Sequence, residues 1–440
     1  NATNAEERAT ILDTIGDLFE QNMDALMGLL IKEAGKTLDD AIAEVREAVD
    51  FCRYYARRGQ ELFESEQELQ GPTGERNTYS LCGRGIFVCI SPWNFPTAIY
   101  TGQIVAALMA GNAVAIKPAE QTPLIGRAVF DLMLKAGVPS DVISFLPGDG
   151  AVGEMLVDHE DVAGVAFTGS TEVARLINRN LAAKDGPIVP LIAETGGLNA
   201  MIVDSSALPE QVIDDVVHSA FKSAGQRCSA LRILCVQEEV ADKMISMLCG
   251  AMEELVVGDP MNIETDIGPV IDYGAVSILS KHHTGLKSSA KILAQTPLSK
   301  DLENKGTFFA PLAAEIEGVD VLEREVFGPI LHIVRFDKDR VNELVDDINA
   351  NGYGLTFGVH SRLEGFAARL VKKVHAGNAY VNRGMTGAVV GVQPFGGMGL
   401  SGTGPKAGGP YYLLAFADER SVSTDITASG GNTTLVSLSE

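Results

Sequence analysis

Buried-strand and helix patterns alternate through the first half of the chain. Apolar runs without the polar alternation of a half-exposed strand occur at 85–90, 113–117, 142–146 and 162–168. Helical periodicity follows each of them, at 99–109, 124–135, 151–157 and 171–183. Fully apolar strands separated by helices are typical of a parallel sheet covered on both faces. The pattern therefore predicts an α/β domain with ligands at the carboxyl ends of its strands.

A second α/β series follows, and strand-like segments lie outside the two series. We predict strands at 199–204 and 232–236, helices at 209–224 and 238–255, and a further set across 314–382 with strands at 331–336 and 377–382. Helices are expected across 6–65, an exposed strand at 75–81 and an edge strand at 419–427. This organisation predicts two α/β domains and a small strand appendage.

The charge balance and the sparse cysteines narrow the classes of protein and site. The 440 residues carry 35 Lys and Arg against 58 Asp and Glu, and the net charge of −23 disfavours nucleic acid or an anionic membrane as partner. Six Cys without a C-x-x-C pair make a disulfide scaffold or a thiolate zinc site unexpected, and we expect no metal. The same cysteine usage favours a reducing, cytoplasmic location.

Two features concern membranes and the extent of the chain. Residues 85–116 contain no charged side chain, but prolines, glycines and asparagines interrupt them, so we predict buried elements and no membrane span. The chain begins at Asn1 and enters a helical pattern almost at once. We therefore expect a piece of a longer polypeptide.

Residues 148–153 and 397–402 both fit the pattern G-x-G-x-x-G. Two matches in a chain with 46 Gly show how unspecific the pattern is. The first match follows a strand and opens a helix, but no acidic residue ends a strand about 20 residues on, as a dinucleotide fingerprint requires. We interpret it as a packing turn, which alone is no evidence for a cofactor.

Three residues are of types suited to covalent catalysis. Cys228 lies in a loop just past a predicted helix, and the neighbouring Arg227 is expected to lower the pKa of its thiol. Glu194 ends an apolar run, where desolvation raises the pKa of a carboxylate and suits a general base. Asn94 lies in a loop between two prolines, where its amide would stabilise an oxyanion. The alternatives are a small buried cysteine, a carboxylate that caps a turn and an asparagine turn.

A fourth segment, residues 167–171, ends a strand and starts a helix. The free N–H groups of a helix N-terminus form a natural anion site. We therefore predict that an anionic group binds there.

Together these segments resemble the aldehyde dehydrogenase superfamily. Seven motifs occur in the family's order and spacing: Pro-Trp-Asn-Phe-Pro at 92–96, Lys-Pro-Ala-Glu at 117–120, Phe-Thr-Gly-Ser at 167–170, Glu-Thr-Gly-Gly at 194–197, Gly-Gln-Arg-Cys at 225–228, Glu-Val-Phe-Gly-Pro at 325–329 and Pro-Phe-Gly-Gly at 394–397. Residues 386–394 resemble the substrate-anchoring loop of glutamate semialdehyde (pyrroline-5-carboxylate) dehydrogenases. Segments 404–410 and 428–432 resemble the proline utilization A family of bifunctional bacterial enzymes, which carry a proline dehydrogenase before this domain.

The resemblance implies oxidation of L-glutamate γ-semialdehyde to L-glutamate with NAD, the second step of proline catabolism. Cys228 would attack the aldehyde carbon, and Asn94 with the Cys228 N–H would hold the oxyanion. Hydride loss to the nicotinamide would leave a thioester, which water activated by Glu194 would hydrolyse.

The resemblance also assigns a cofactor site. Its residues would be Ser91, Pro92, Trp93, Lys117, Glu120, Phe167, Thr168, Gly169, Ser170, Thr195, Gly196, Glu325 and Phe327. Glu120 would accept hydrogen bonds from the adenosine ribose and repel a 2′-phosphate, which favours NAD over NADP. Ser170 and the following helix N-terminus would hold the pyrophosphate, and Glu325 the nicotinamide ribose.

For the substrate, the resemblance implies a carboxylate site and an aromatic one. Ser229 and the backbone of Gly387 and Ala388 would bind the α-carboxylate, since glycine-bearing loops can point N–H groups at an anion. Phe95 and Phe395 would sandwich the aliphatic chain. Simple packing is the alternative for Phe395.

The implied architecture is an aldehyde dehydrogenase fold with three parts. These are a Rossmann-like NAD-binding domain (1–70 and 86–196, with a return segment at 396–412), an α/β catalytic domain (197–395) and an oligomerisation flap of strands (71–85 and 413–440). We expect a homodimer. The further expected partner is the proline dehydrogenase domain of the same parent polypeptide, and that parent is expected to associate peripherally with the inner membrane.

Two other functions remain open. A non-catalytic scaffold homologue would be expected to lose Cys228, Glu194 or Asn94, and all three are present. A dehydrogenase of another carboxylate-bearing semialdehyde, such as succinate semialdehyde, commonly offers Arg side chains to the carboxylate. Residues 386–392 offer backbone instead.

Overall fold

The computed structural model describes residues 3–303 and 305–426. The helices are α1 (Ala5–Gln21), α2 (Met23–Ala34), α3 (Leu38–Phe63), α4 (Ala98–Met109), α5 (Pro123–Lys135), α6 (Gly150–Asp158), α7 (Thr171–Ala183), α8 (Pro209–Phe221), α9 (Glu238–Glu253), α10 (Tyr273–Ser289), α11 (Lys300–Glu303), α12 (Val341–Ala350) and α13 (Glu364–Lys373). The strands are β1 (Gln67–Leu69), β2 (Glu75–Gly83), β3 (Ile86–Ile90), β4 (Ala113–Lys117), β5 (Ile143–Phe145), β6 (Val162–Thr168), β7 (Leu191–Glu194), β8 (Ala200–Val203), β9 (Ile233–Gln237), β10 (Lys291–Gln295), β11 (Leu312–Glu315), β12 (Ile330–Phe336), β13 (Tyr353–Gly354), β14 (Thr356–His360), β15 (Asn378–Val381), β16 (Met398–Gly399) and β17 (Ala417–Asp425).

The first sheet is parallel, as the apolar runs predict. Its strand order is β5-β4-β3-β6-β7. Alternate residues of β3 face opposite cores: Phe87 packs with helices α1 to α5, whereas Val88 packs with α6 and α7. Helices therefore cover both faces of this sheet, and its strands open at their carboxyl ends onto the loop at 91–97.

The uncharged stretch 85–116 consists of β3, α4 and β4. Almost every residue of α4 is buried, because the helix lies between α3 and the sheet. Within the described residues no helix combines the length and the apolarity needed to cross a bilayer.

The second sheet has the order β10-β11-β12-β9-β8-β14-β15 and is parallel except for β10. The predicted strands at 199–204, 232–236, 331–336 and 377–382 correspond to β8, β9, β12 and β15. Its central strands are buried except at Arg335 of β12, which explains their apolar runs. The α/β fold class is confirmed.

The strand appendage is an antiparallel sheet of order β1-β2-β17. The register runs from Ala417 opposite Gly83 to Asp425 opposite Glu75, so the predicted strand at 75–81 pairs with residues 419–425 of the predicted strand at 419–427, whose last residue lies outside the described residues. Strand β1 also belongs to this sheet, although we placed residues 1–70 in the cofactor domain. The motif at 428–432 lies outside the described residues, and the division into domains stays a prediction.

The predicted helix 209–224 is wrong at its end. Helix α8 stops at Phe221, and Ser223, Ala224 and Gly225 follow with φ of 55°, 51° and 65°. These are left-handed conformations, which cost a non-glycine residue about 1–2 kcal/mol. The turn brings Gly225 against another chain segment, and a Cβ on it would lie 2.3 Å from the Gly328 carbonyl oxygen. Tertiary packing overrides the helical pattern here, and the chain turns toward Cys228.

Replacement of Gly225 by Ala is therefore expected to destabilise the protein by more than about 2 kcal/mol, because it adds both left-handed strain and a clash. Gly250→Ala in α9 is the matched control, since a Cβ there meets nothing within 4 Å. The control is expected to raise stability by up to about 1 kcal/mol. Thermal unfolding of both variants measures the difference, and equal stability of Gly225→Ala and the wild type would contradict the account.

Candidate active site

Cys228 lies on an irregular turn between α8 and β9, and every backbone carbonyl from 225 to 230 accepts a hydrogen bond from a side chain. The donors are Arg232 to the carbonyls of Gly225 (2.7 Å) and Arg227 (3.0 Å), Asn94 Nδ2 to Gln226 (3.0 Å), Asn199 Nδ2 to Cys228 (2.6 Å) and Ala230 (2.9 Å), and Thr356 Oγ1 to Ser229 (3.2 Å). Buried carbonyls without partners are costly, so these contacts fix the turn in one conformation.

Asn94 is brought to the cysteine from the first sheet. It is 7% exposed, follows β3 and uses one of its two amide hydrogens on the Gln226 carbonyl. The Cys228 N–H has no acceptor among residues 3–303 and 305–426. The two N–H donors expected to face an oxyanion therefore belong to one hydrogen-bonded unit.

The environment of the Cys228 thiol is opposite to the one we expected. Arg227 does not lower its pKa, because the guanidinium points away to Asp40 at 2.6 Å. Desolvation, followed by the nearby carboxylates of Glu325 and Glu194, raises the pKa of the thiol to about 12. At neutral pH the cysteine is therefore a thiol, and it needs a base when it reacts.

Glu194 has the properties expected of such a base. Burial raises its pKa to about 8, against the lowering effects of the Gly397 N–H at 3.1 Å and the Lys406 charge. Its second oxygen, Oε1, is buried without a hydrogen-bond partner in the described part of the chain. A Cβ on Gly396 would lie 2.7 Å from that oxygen, so the glycine leaves it room.

The adenosine side of the predicted cofactor site lies at the ends of β3 and β4. Lys117 is buried with its Nζ at 3.1 Å from the Pro118 carbonyl and 3.6 Å from Glu120 Oε2. The Glu120 side chain is 54% exposed and so is free to accept a ligand hydroxyl. Gly153, the last glycine of the first G-x-G-x-x-G segment, packs on Lys117, where a Cβ would lie 3.4 Å from the lysine Cδ. Ser91 donates its N–H to the Lys117 carbonyl.

The predicted pyrophosphate side lies at the start of α7. Phe167 and Thr168 end β6, and the Ser170 hydroxyl caps α7 by accepting from the Val173 N–H at 3.3 Å. Gly169 lies against the Phe167 ring and donates to the Glu194 carbonyl. Strand β6 therefore leads directly into an open helix N-terminus, which suits an anionic diphosphate.

The predicted nicotinamide side is built around an aromatic pair. Trp93, which follows Pro92 in the chain, and Phe327 meet edge to face at 5.5 Å. Glu325 pairs with Arg232 at 2.9 Å, and a Cβ on Gly196 would lie 1.6 Å from its other oxygen. The backbone of Gly196 thus passes directly over this carboxylate, and Thr195 is fixed by donating its hydroxyl to the Leu400 carbonyl. An exposed carboxylate, a helix N-terminus and this glycine-lined cradle together fit a dinucleotide.

The predicted substrate residues lie on separate segments of the chain. Ser229 is next to the cysteine and 9% exposed, and Gly387 adopts φ 77° at an exposed point of its loop, followed by Ala388. Phe95 has cations over its ring, with Lys36 Nζ at 4.1 Å and Arg227 Cζ at 5.6 Å from the centroid. Phe395 is half-buried, and its N–H donates to the Ala407 carbonyl. The aromatic sandwich stays a prediction.

Three of the residues that hold the cysteine turn were missed in the sequence. Asn199, Arg232 and Thr356 are polar residues at the ends of buried strands, and each is under 5% exposed. A buried polar side chain normally has hydrogen-bond partners, so this position was the available signal. The partners themselves lie up to 127 residues away in the sequence and have no local pattern.

The fold and this geometry agree with a match to a known family. The model of the aldehyde dehydrogenase family matches residues 1–422, and the chain belongs to that family. Bifunctional protein PutA of Klebsiella aerogenes is 53% identical over 427 residues, which are 95% of this chain and 32% of that protein. The chain therefore spans about a third of the length of this relative.

Two solved structures are similar over almost the whole chain. A mutant of Bradyrhizobium japonicum Proline Utilization A has 55% identity and a TM-score of 0.95, with 98% of this chain and 44% of that chain covered. The 1-pyrroline-5-carboxylate dehydrogenase from Thermus, solved with bound NAD, has 34% identity and a TM-score of 0.92, with 96% and 82% covered.

The charges around Cys228 can be tested by its alkylation. Glu325→Gln is expected to speed alkylation by iodoacetamide at least about threefold at fixed pH, because loss of a nearby carboxylate lowers the pKa of the thiol. Glu120→Gln is the matched control, since that carboxylate is largely exposed. Mass spectrometry of the Cys228 peptide measures the rate. An unchanged rate in Glu325→Gln would show that this carboxylate does not govern the thiol.

Proposed function

We propose that this chain oxidises L-glutamate γ-semialdehyde to L-glutamate with NAD, the second step of proline catabolism. The observation that carries the proposal is the unpartnered buried oxygen of Glu194 near a thiol whose pKa that carboxylate helps to raise. Membership of the aldehyde dehydrogenase family and the names of the similar proteins support the same reaction. The retention of Cys228, Glu194 and Asn94 argues against a non-catalytic scaffold.

The chain's own residues provide a base, a nucleophile and an oxyanion site. The raised pKa of Cys228 leaves little thiolate beforehand, so the thiol passes its proton to the ionised form of Glu194 as the sulfur attacks the aldehyde carbon, and Glu194 releases that proton to solvent before the water step. The oxyanion accepts hydrogen bonds from Asn94 Nδ2 and the Cys228 N–H. When bound, NAD removes a hydride from the reacting carbon. Glu194 then takes a proton from the water that hydrolyses the resulting thioester, which returns the thiol and releases the carboxylate.

The cofactor would lie across the carboxyl ends of the first sheet. Glu120 and Lys117 would contact the adenosine ribose, Ser170 and the α7 N-terminus the pyrophosphate, and Glu325 the nicotinamide ribose. Trp93 and Phe327 would pack beside it, while Gly196 lets the backbone approach closely. Exposure of Glu120 and the open α7 N-terminus support this placement.

The substrate carboxylate would bind to Ser229 and to the backbone of Gly387 and Ala388. The left-handed φ of Gly387 supports this assignment, because successive N–H groups in such a turn can converge on an anion. Phe95 and Phe395 would enclose the aliphatic chain. A semialdehyde dehydrogenase with another substrate is the second candidate, and comparison of kcat/KM for glutamate and succinate semialdehydes separates the two.

Assembly and location are part of the same proposal. The exposed sheet β1-β2-β17 would pair two copies into a homodimer, because β17 has eight exposed residues and forms an edge of its sheet. In a longer parent polypeptide a proline dehydrogenase domain would supply the substrate, in the cytoplasm and with peripheral association at the inner membrane. Light scattering tests the dimer, which a monomer at micromolar concentration would contradict.

The direct test of the activity is NADH formation followed at 340 nm with glutamate semialdehyde. Cys228→Ala is expected to abolish it and to leave NADH binding nearly intact, since the thiol serves the covalent step and not the fold. Cys82→Ala, which removes an exposed thiol in β2, is the control and is expected to keep full activity. Substantial turnover by Cys228→Ala would refute the assigned nucleophile.

The role of Glu194 can be tested in the pre-steady state. Glu194→Gln is expected to give a burst of NADH followed by a slow phase, because thioester hydrolysis loses its base. Since the pKa of Glu194 is raised to about 8, hydrolysis in the wild type is expected to accelerate as pH rises toward that value and then level off. Normal turnover in Glu194→Gln, or a pH-independent wild type, would place the base elsewhere.

The preference for NAD depends on Glu120 in this proposal. Glu120→Ser is expected to narrow the ratio of kcat/KM for NAD over NADP, because the carboxylate pairs with ribose hydroxyls and repels a phosphate. The difference in binding free energy between NAD and NADP is expected to change by about a few kcal/mol at most, because this ribose contact is one of several contacts with the cofactor. An unchanged ratio would mean that Glu120 does not face the ribose.

A further inference from the structure

Arg232 is the largest fully buried side chain of the described residues and uses all of its hydrogen-bond donors. Its Nε and Nη2 donate to Glu325 Oε1 at 3.2 and 2.9 Å. Nη1 donates to the carbonyls of Gly225 and Gly328 at 2.7 and 3.1 Å, and Nη2 also donates to the Arg227 carbonyl at 3.0 Å. A guanidinium has five N–H groups, so none is left over. The side chain thus joins the cysteine turn to the segment that carries Glu325.

One of these contacts acts on the peptide unit that contains the Cys228 N–H. The Arg227 carbonyl and the Cys228 N–H belong to the same planar trans peptide, in which the two bonds point in opposite directions. A hydrogen bond that holds the carbonyl therefore also sets the direction of the N–H. The Ala230 N–H also donates to the Arg227 carbonyl, at 3.0 Å, so two donors hold this peptide unit in place.

The guanidinium is itself held rigidly in place. His332 donates its N–H to the Arg232 carbonyl at 2.9 Å, and its ring Nδ1 lies 3.0 Å from the same oxygen. The Phe327 ring covers the guanidinium at 5.2 Å. Because both its backbone carbonyl and its guanidinium are held by these contacts, the Arg232 side chain can fix the position of the groups to which it donates.

We propose that Arg232 is a positioning residue that aims the Cys228 N–H at the oxyanion and joins that donor to Glu325 in one rigid unit. The inference rests on the proposed function and goes beyond it, because it assigns the orientation of the oxyanion donor to a side chain outside the reacting atoms. Lys in place of Arg232 keeps the charge opposite Glu325 but cannot reach three carbonyls, since it lacks the planar fork.

The test compares Arg232→Lys with the wild type in three measurements. These are the rate of NADH formation in the first turnover (called the burst below), the affinity for NADH and the rate of Cys228 alkylation by iodoacetamide. Alkylation displaces iodide without forming an oxyanion, so it reports the thiol alone. Arg232→Lys is expected to slow the burst about tenfold or more, as loss of an oxyanion donor does, and to leave the other two within about twofold. Arg335→Lys, at a surface ion-pair site on β12, is the matched control and is expected to change nothing.

A burst within twofold of the wild type would overturn the inference. Alkylation that slows in parallel with the burst would also overturn it, because Arg232 would then only hold the loop. If Arg232→Lys fails to bind NADH, it is replaced by the double variant Arg232→Gln with Glu325→Gln, which avoids an unpaired buried charge. The double variant is compared with Glu325→Gln alone. An equally fast burst in the two would refute the positioning role of Arg232. A wild-type protein that forms no NADH from glutamate semialdehyde would refute the proposed function itself.

Discussion

The central constraint in this molecule is that an irregular, buried turn must have every backbone carbonyl satisfied. Residues 223–230 cannot use helical or ladder hydrogen bonds, because three successive residues adopt left-handed φ. Side chains from four separate segments supply the missing donors: Asn94 after β3, Asn199 before β8, Arg232 before β9 and Thr356 in β14. The strained conformation of the turn persists because these hydrogen bonds hold its backbone at several points. The same contacts fix the position of Cys228.

The electrostatics of the site follow from that burial. Cys228 is only partly exposed, and desolvation together with the nearby carboxylates raises the pKa of its thiol, which stays protonated at neutral pH. Burial likewise raises the pKa of Glu194, to about 8, and its Oε1 has no hydrogen-bond partner among the described residues. At neutral pH both groups are mostly uncharged, which limits repulsion between two nearby negative charges, and the ionised fraction of Glu194 is the form that can act as a base. Reaction therefore depends on proton transfer during the chemical steps and not on a preformed thiolate.

The sequence predicted those parts of the fold in which burial alone sets the pattern. The predicted segments 113–117, 162–168 and 171–183 coincide with β4, β6 and α7, because each lies against a complete core. Helix α10 was not predicted, and only Leu279 and Leu286 of it are buried, so it has little apolar periodicity. The end of α8 and the direction of Arg227 were wrong for a different reason. Both are decided by partners far away in the chain, Gly328 and Asp40, which no local pattern reveals.

Helix α3 and the segment before it contact both the loop at 91–97, which carries Asn94, and the turn that carries Cys228. Glu44 accepts from the Thr97 N–H at 2.8 Å, which anchors the loop that carries Asn94, and pairs with Lys36 at 3.2 Å. One turn earlier on the same helix, Asp40 pairs with Arg227; the charges of Arg227 and Lys36 outweigh desolvation and keep its pKa low. Removal of one partner from such a buried pair typically costs about 3–5 kcal/mol, because the other charge is left uncompensated. The two α3 carboxylates therefore connect the loop that carries Asn94 and the turn that carries Cys228 to the same helix, so we expect the relative position of these two residues to depend on both ion pairs.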